Sequence, residues 1–120
     1  MTFNPHTATQ QELRDWLAGE DGWVKVKDVY GGDAWRKRSL LHDPHSNWSH
    51  PHPPTRDGAA AALPEGYLWL RMWHRDRGPF WVVAPEYGDR GQAVPDTGDE
   101  ITDRYRLACL ARVAMKEDSK

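Results

Sequence analysis

The sequence predicts an α+β fold in a single domain that spans residues 1–120. Helical periodicity at both ends, period-two alternation in the middle, and turn residues that divide the alternating segments into hairpins lead to this prediction. A chain of 120 residues is about one domain. The predicted order is α-β-β-loop-β-β-α. We expect one joined antiparallel sheet with the helices packed on one of its faces.

The first helix follows a polar segment, residues 1–8, that we expect to be a flexible arm. Thr9 and Glu12 have the spacing of a capping box, in which a hydroxyl and a carboxylate satisfy the unpaired amides of a helix start. Gly19 supplies a residue that ends helices readily. The helix is amphipathic, because three apolar residues share one side: Leu13, Trp16 and Leu17.

The first hairpin begins at residue 23, where the hydrophobic period changes to two. Gly31-Gly32-Asp33 is typical of a turn, and residues 34–41 are predicted to return as a second strand. Alternation places the valines of residues 24 and 26 on one face. The other face collects Trp23, Lys25, Lys27, Trp35 and Lys37.

Residues 42–64 interrupt the strand pattern with histidine, proline and serine and are predicted to form a long loop. A loop of more than about 15 residues in a compact domain is usually functional or disordered. Within it, the alanine run at 59–63 could form one helical turn before Pro64.

The second hairpin has the clearest strand signal in the chain. Residues 67–74 alternate between two rows, residues 75–79 form a turn, and residues 80–84 return as a β-branched and aromatic strand. A polar loop, 85–98, follows. One row contains Leu68, Leu70 and Met72, and the other contains Tyr67, Trp69, Arg71 and Trp73.

The last helix is predicted to begin near Thr97 or Asp99 and to run to about Met115, with a tail at 117–120. Acidic residues in its first turn and Lys116 in its last suit the helix dipole. Its alanine and cysteine side chains would let it lie close to a sheet. We expect the residues that face the helices to be Val24, Val26, Leu68, Leu70 and Met72.

The opposite sheet face would then combine aromatic and cationic side chains, which can bind a protein or stack on nucleic-acid bases. Alternatively, the cations cover the indoles of an ordinary half-exposed sheet, or the long loop folds over this face. The formal net charge of −2 favours a protein partner over nucleic acid. The candidate partner-binding residues are Trp35, Lys37, Tyr67, Trp69, Arg71, Trp73 and Arg75.

Four histidines within the long loop are candidate metal ligands: His42, His45, His50 and His52. Imidazole binds zinc, copper and nickel, and three or four convergent imidazoles make a site. Asp43 could orient one of these ligands. The alternative is that the prolines make this segment a mobile connector whose histidines have no common ligand.

The remaining motifs exclude several classes of protein. A single cysteine, Cys109, excludes an internal disulfide and a cysteine-rich zinc site, and its apolar helix indicates a core residue rather than a nucleophile. No apolar run approaches the ~18 residues of a membrane span. We therefore expect a cytoplasmic protein with no membrane association.

These observations together predict a small non-enzymatic binding or inhibitor protein with a protein partner. In size and in lacking catalytic motifs, the chain is similar to small phage-encoded accessory proteins, including inhibitors that block a host protein. Two alternatives remain open at this point. One is a zinc-binding module or metal-dependent enzyme built on the histidines, and the other is a single-strand nucleic-acid binder.

Overall fold

The structure is a computed structural model that describes residues 3–87 and 91–118, without the side chain of Asp118. The predicted α+β class is confirmed. Within the described residues, the elements in chain order are α1 (Gln10–Glu20), β1 (Trp23–Lys27), β2 (Asp33–Lys37), α2 (Arg56–Ala62), β3 (Tyr67–His74), β4 (Gly78–Pro85), β5 (Gln92–Pro95) and α3 (Glu100–Asp118).

Helix α1 begins as its sequence predicts. The Thr9 hydroxyl accepts a hydrogen bond from the backbone N–H of Glu12, and the Glu12 carboxylate accepts one from the N–H of Thr9. The helix ends at Glu20, one residue beyond the predicted stop at Gly19. Gly22 then adopts a φ of 85°, a left-handed conformation that glycine enters without steric penalty.

The strands form two antiparallel sheets, which corrects the expectation of one joined sheet. One contains β1 and β2, and the other has the order β3-β4-β5. In each hairpin, another segment pairs with the outer edge of the second strand. Trp48 bridges the outer edge of β2 through two hydrogen bonds with Trp35, and β5 occupies the second edge of β4.

Three segments predicted as irregular have defined structure. The segment predicted as a loop over 42–64 contains α2, and the segment predicted as a loop over 85–98 contains β5; its residues 88–90 lie outside the described part. The predicted strand 34–41 ends at Lys37 and continues as a 3₁₀ turn, Arg38–Leu40. In the predicted arm, the Phe3 ring stacks on Trp16 with a centroid distance of 4.9 Å.

Helix α3 lies between two apolar clusters. On one side its Tyr105, Ala108 and Cys109 pack with residues of α1 and α2. On the other side its Leu107, Leu110 and Ala111 pack against Trp81 and Val83 of β4 and Val94 of β5. Apolar residues of α3 therefore have packing partners on both sides of the helix. In the described part of the chain, no helix has the length and apolarity needed to cross a lipid bilayer.

Candidate functional site

The three-stranded sheet has an inner face that is covered by α3. Tyr67 and Trp69 of β3 pack against the cluster formed by β4, β5 and α3. The guanidinium of Arg104, on α3, lies 4.7 Å from the ring centre of Trp69 and 5.3 Å from that of Trp81. Trp69 therefore lies beneath a helix, with a cation over its ring.

The expected orientation of β3 is thus wrong, because its aliphatic row faces away from the helices. Leu68, Leu70 and Met72 are 52%, 59% and 47% exposed. The physical reason lies in α3, whose Ala108 and Ala111 leave space beside the sheet. An indole fills that space better than a leucine does, and its larger area contributes more to burial.

The second face of this sheet is apolar on all three strands apart from His74, which follows Met72 in the same row of β3. The register of the strand pairs places Leu68 opposite Ala84, Leu70 opposite Val82, and Val82 opposite Ala93. We call this surface the outer face; its residues are Leu68, Leu70 and Met72 of β3, Phe80, Val82 and Ala84 of β4, and Ala93 and Pro95 of β5. All eight side chains are apolar, and none of them is fully buried.

A groove lies at the end of the outer face near the β3–β4 turn. Its volume is about 340 Å³, and it is lined by His74, Arg77, Pro79, Phe80, Ala93, Val94 and Pro95. Arg75 and Arg77 are exposed in this turn. The outer face thus ends in an open groove with positive charge beside it.

The candidate partner-binding residues of the second hairpin divide between covered and exposed positions. Tyr67 and Trp69 belong to the inner face, whereas Trp73 is 73% exposed beyond the reach of α3. Arg71 forms an ion pair with Asp96 at 2.7 Å. Arg75 is exposed at the turn. Trp73 and Arg75 are therefore the members of this set that are most open to a partner.

The first hairpin also has its aromatic and cationic residues on one face, as the register of β1 and β2 confirms. Trp35 is only 7% exposed on this face, because the segment 42–53 folds over it and the His50 ring lies 4.8 Å from its ring. Lys37 is exposed and lies 5.0 Å above the Trp23 ring. Two of the alternatives for this face are therefore present, because the loop covers Trp35 and a cation lies over Trp23.

The segment 42–53 is attached to the domain by side chains that are distant in sequence. Arg36 donates two hydrogen bonds to Asn47, at 2.9 and 2.6 Å. His50 Nε2 lies 2.8 Å from Asp15 Oδ1, and His52 Nε2 lies 2.8 Å from Asp21 Oδ2. The histidines thus fasten this segment to α1 and its C-cap.

His50 is held as a neutral imidazole. The backbone N–H of His52 donates to His50 Nδ1 at 3.0 Å, so the ring proton resides on Nε2 and is donated to Asp15. Burial lowers the pKa of His50, against the opposing effect of the bond to Asp15. Burial likewise lowers the pKa of His52, against the opposing bond to Asp21.

The four candidate metal ligands do not meet at one point. His42 and His45 are exposed, and the carboxylate of Asp43 is occupied by hydrogen bonds from the His45 N–H and the Ser46 hydroxyl, both at 2.9 Å. These bonds, the His45 one foremost, lower the pKa of Asp43. Across residues 3–87 and 91–118, no three His, Cys, Asp or Glu side chains are arranged to hold a metal ion.

Cys109 has the environment of a core residue, as its sequence context predicts. Burial raises the pKa of its thiol to about 12, and its Sγ donates a hydrogen bond to the Leu13 carbonyl at 3.6 Å. The thiolate form that nucleophilic chemistry requires is therefore strongly disfavoured near neutral pH.

The outer face is the candidate site that the sequence interpretation missed. Both rows of β3 consist largely of bulky apolar or aromatic side chains, so a period of two does not identify the inward row. The signal is on α3, where Arg104 lies one helical turn before Leu107 and two turns before Ala111 and so points toward the sheet. A guanidinium facing a sheet needs aromatic partners, and Trp69 belongs to the row that can supply one.

Comparison of this chain with protein-family models, with curated proteins and with solved structures found no match in any of the three, so the arguments about function rest on the geometry described above.

Proposed function

We propose that this chain is a non-enzymatic binding or inhibitor protein that engages a protein partner through the outer face. One observation carries the proposal. Eight neighbouring sheet positions are apolar while the row of β3 that belongs to them, Leu68, Leu70 and Met72, stays about half exposed. Large exposed apolar patches on a folded domain mark interaction sites more often than scattered single residues do.

Burial of this row supplies a moderate driving force. A fully buried leucine or methionine contributes roughly 1.5–3 kcal/mol, and about half of each of these three side chains is still exposed, so covering them contributes about 3 kcal/mol in total. That gain is too small for tight binding once the entropy of association is subtracted. The partner must therefore also contact β4 and β5 and enter the groove near Phe80.

Two further features support a protein partner. The sheet is fixed from behind by α3, so little conformational entropy is lost when its outer face is covered. Trp73, which belongs to the row opposite the outer face but is exposed at the end of the hairpin, and Arg75 in the adjoining turn are of the residue types that contribute most to protein interfaces. Both remain candidate partner-binding residues.

The proposal is tested with Leu70→Lys, which places a charge at the centre of the outer face. Tyr30→Lys is the matched control, because Tyr30 is 93% exposed in the turn between β1 and β2, away from this sheet. Proteins captured from the native host by the unmodified chain would be purified, and their affinity for all three chains measured by calorimetry.

We expect Leu70→Lys to weaken binding at least tenfold, because the partner would have to desolvate an ammonium group, whereas Tyr30→Lys leaves the affinity unchanged. Circular dichroism checks that both variants are folded. A folded Leu70→Lys chain that binds with the affinity of the unmodified chain would refute the proposal.

A further inference from the structure

We infer that strand β3 pairs with β3 of a second copy of this chain and forms a two-fold symmetric dimer with one continuous six-stranded sheet. The inference concerns the edge of the sheet, whereas the proposed function concerns its outer face. It goes beyond that function and does not require it to be correct.

The two edges of the three-stranded sheet differ in how well they are protected. β3 is an edge strand of eight residues, pairs one-to-one with β4 without a bulge, and contains no proline. Every residue from 70 to 75 is exposed. The other edge, β5, has only four residues and ends at Pro95. Proteins commonly protect an edge strand by making it short, by placing a proline or a bulge in it, or by charged side chains. β3 is long and contains neither a proline nor a bulge.

Charge protects β3 only weakly. Arg71 is the one Asp, Glu, Lys or Arg residue within Tyr67–His74. Its guanidinium extends across the inner face, where it forms an ion pair with Asp96 and lies 5.9 Å from the ring centre of Trp81. Lysines are the usual side chains that keep other chains from an edge, and this strand has none.

Two-fold symmetry restricts the register of such a pairing. When the two copies of β3 pair antiparallel, the two-fold axis is perpendicular to the sheet. Each residue then lies opposite a residue of the second copy whose side chain points to the same face. With the axis at Leu70, this residue lies opposite the partner's Leu70, and Leu68 lies opposite the partner's Met72. On the inner face, Trp69 lies opposite the partner's Arg71. The Leu70–Leu70 and Leu68–Met72 pairs are favourable apolar cross-strand pairs, and the pairing of Trp69 with Arg71 sets no like charges opposite each other.

The neighbouring symmetric registers are less favourable. An axis at Arg71 sets two guanidinium groups directly opposite each other, and like charges in that position are destabilising. An axis at Trp69 places Met72 opposite the partner's Gly66, which precedes the strand, and so shortens the ladder. The axis at Leu70 also joins the two outer faces into one apolar surface of doubled width.

Single cysteine variants test both the dimer and its register. Cys109 is the only native cysteine and is buried, so an introduced thiol on β3 is the reactive one. Side chains directly opposite each other in adjacent strands have Cβ atoms about 4.5–5.5 Å apart, close to the spacing that a disulfide spans. Under mild oxidation at tens of micromolar chain, we expect Leu70→Cys to form a disulfide-linked dimer on non-reducing gels.

Leu68→Cys and Met72→Cys are the matched controls. Each alone should stay largely monomeric on the gel, because its two copies are offset by four residues, about 13 Å along the strand. A mixture of the two should cross-link. Sedimentation of the unmodified chain should show a dimer that dissociates on dilution.

The inference is overturned if Leu70→Cys cross-links no faster than Leu68→Cys, or if the unmodified chain is monomeric up to millimolar concentration. A monomeric chain whose Leu70→Lys variant still loses its captured protein would overturn the dimer and leave the proposed function standing. A dimeric chain whose Leu70→Lys variant still captures the same protein would support the dimer and overturn the proposed function.

Discussion

The two rows of β3 face opposite sides of the sheet. Truncating adjacent side chains of this strand to alanine should therefore lower the free energy of unfolding by very different amounts. Trp69 packs against both apolar clusters, and Arg104 lies 4.7 Å from its ring centre. Leu70, the next residue, is 59% exposed. Replacing each by alanine therefore removes very different amounts of buried surface.

The magnitudes follow from that burial. Trp69→Ala should lower the free energy of unfolding by about 3 kcal/mol, because a large cavity opens between β3 and α3. The lost contact with Arg104 adds about 0.5 kcal/mol. For Leu70→Ala the change should be about 1 kcal/mol or less, since well under half of the side chain is covered.

Urea unfolding followed by far-ultraviolet circular dichroism measures both changes, and this signal does not depend on the tryptophan that is removed. With a denaturant slope of about 2 kcal/mol/M, the midpoint should fall by roughly 1.75 M for Trp69→Ala and by about 0.5 M or less for Leu70→Ala. Equal shifts, or a larger shift for Leu70→Ala, would refute the assignment of inner and outer faces.

Three further predictions concern segments that hold the fold together. Burial lowers the pKa of His50 below its ordinary value of 6.5, so the unfolded chain takes up this proton first as the pH falls. The free energy of unfolding should therefore decline below about pH 6.5, and His50→Gln should reduce that decline in urea titrations between pH 7 and 5. Gly58→Ala should destabilise the chain by about 2 kcal/mol in thermal unfolding, because its Cβ would lie 2.5 Å from the Pro53 carbonyl oxygen. Asp103→Asn should lower the free energy of unfolding, measured with urea, by about 2 kcal/mol, because the buried Asp103 carboxylate accepts two hydrogen bonds from Thr97.

Matched variants distinguish these effects from general ones. His42 is exposed, so His42→Gln should leave the urea midpoint at pH 7 unchanged. Gly19→Ala should not destabilise the chain, since a Cβ at Gly19 meets no atom within 4 Å. An unaltered pH slope in His50→Gln, or equal melting temperatures for Gly58→Ala and Gly19→Ala, would contradict the corresponding argument.

Features that depend on neighbouring residues could be predicted from the sequence. The capping box of Thr9 and Glu12 is confirmed, because both hydrogen bonds form within one turn. The strand at 67–74 is also confirmed, since it has a long alternating signal. The last helix is confirmed, but it runs to Asp118 and so includes the first two residues of the predicted tail, whose residues 119–120 lie outside the described part. β5 has only four residues, too few for a periodic signal, and it was taken for loop.

Features that depend on distant residues could not be predicted in the same way. His50 meets Asp15 across 35 positions, and nothing near His50 in the sequence identifies that carboxylate. The histidines were therefore interpreted as possible metal ligands, whereas two of them attach a segment to α1 and its C-cap. The inward row of β3 was likewise decided by the small residues of α3 rather than by the strand's own pattern.

The central claim is that the outer face is open in the isolated chain and covered in its complex. Methyl NMR with a soluble nitroxide measures this directly, because the nitroxide broadens exposed methyl signals. In the isolated chain, the methyl signals of Leu68, Leu70 and Met72 should be broadened strongly, and those of Val83 and Leu107 should not. Once the captured partner is bound, the first three should become protected. Protection of the three in the isolated chain, or continued broadening in the complex, would contradict the claim.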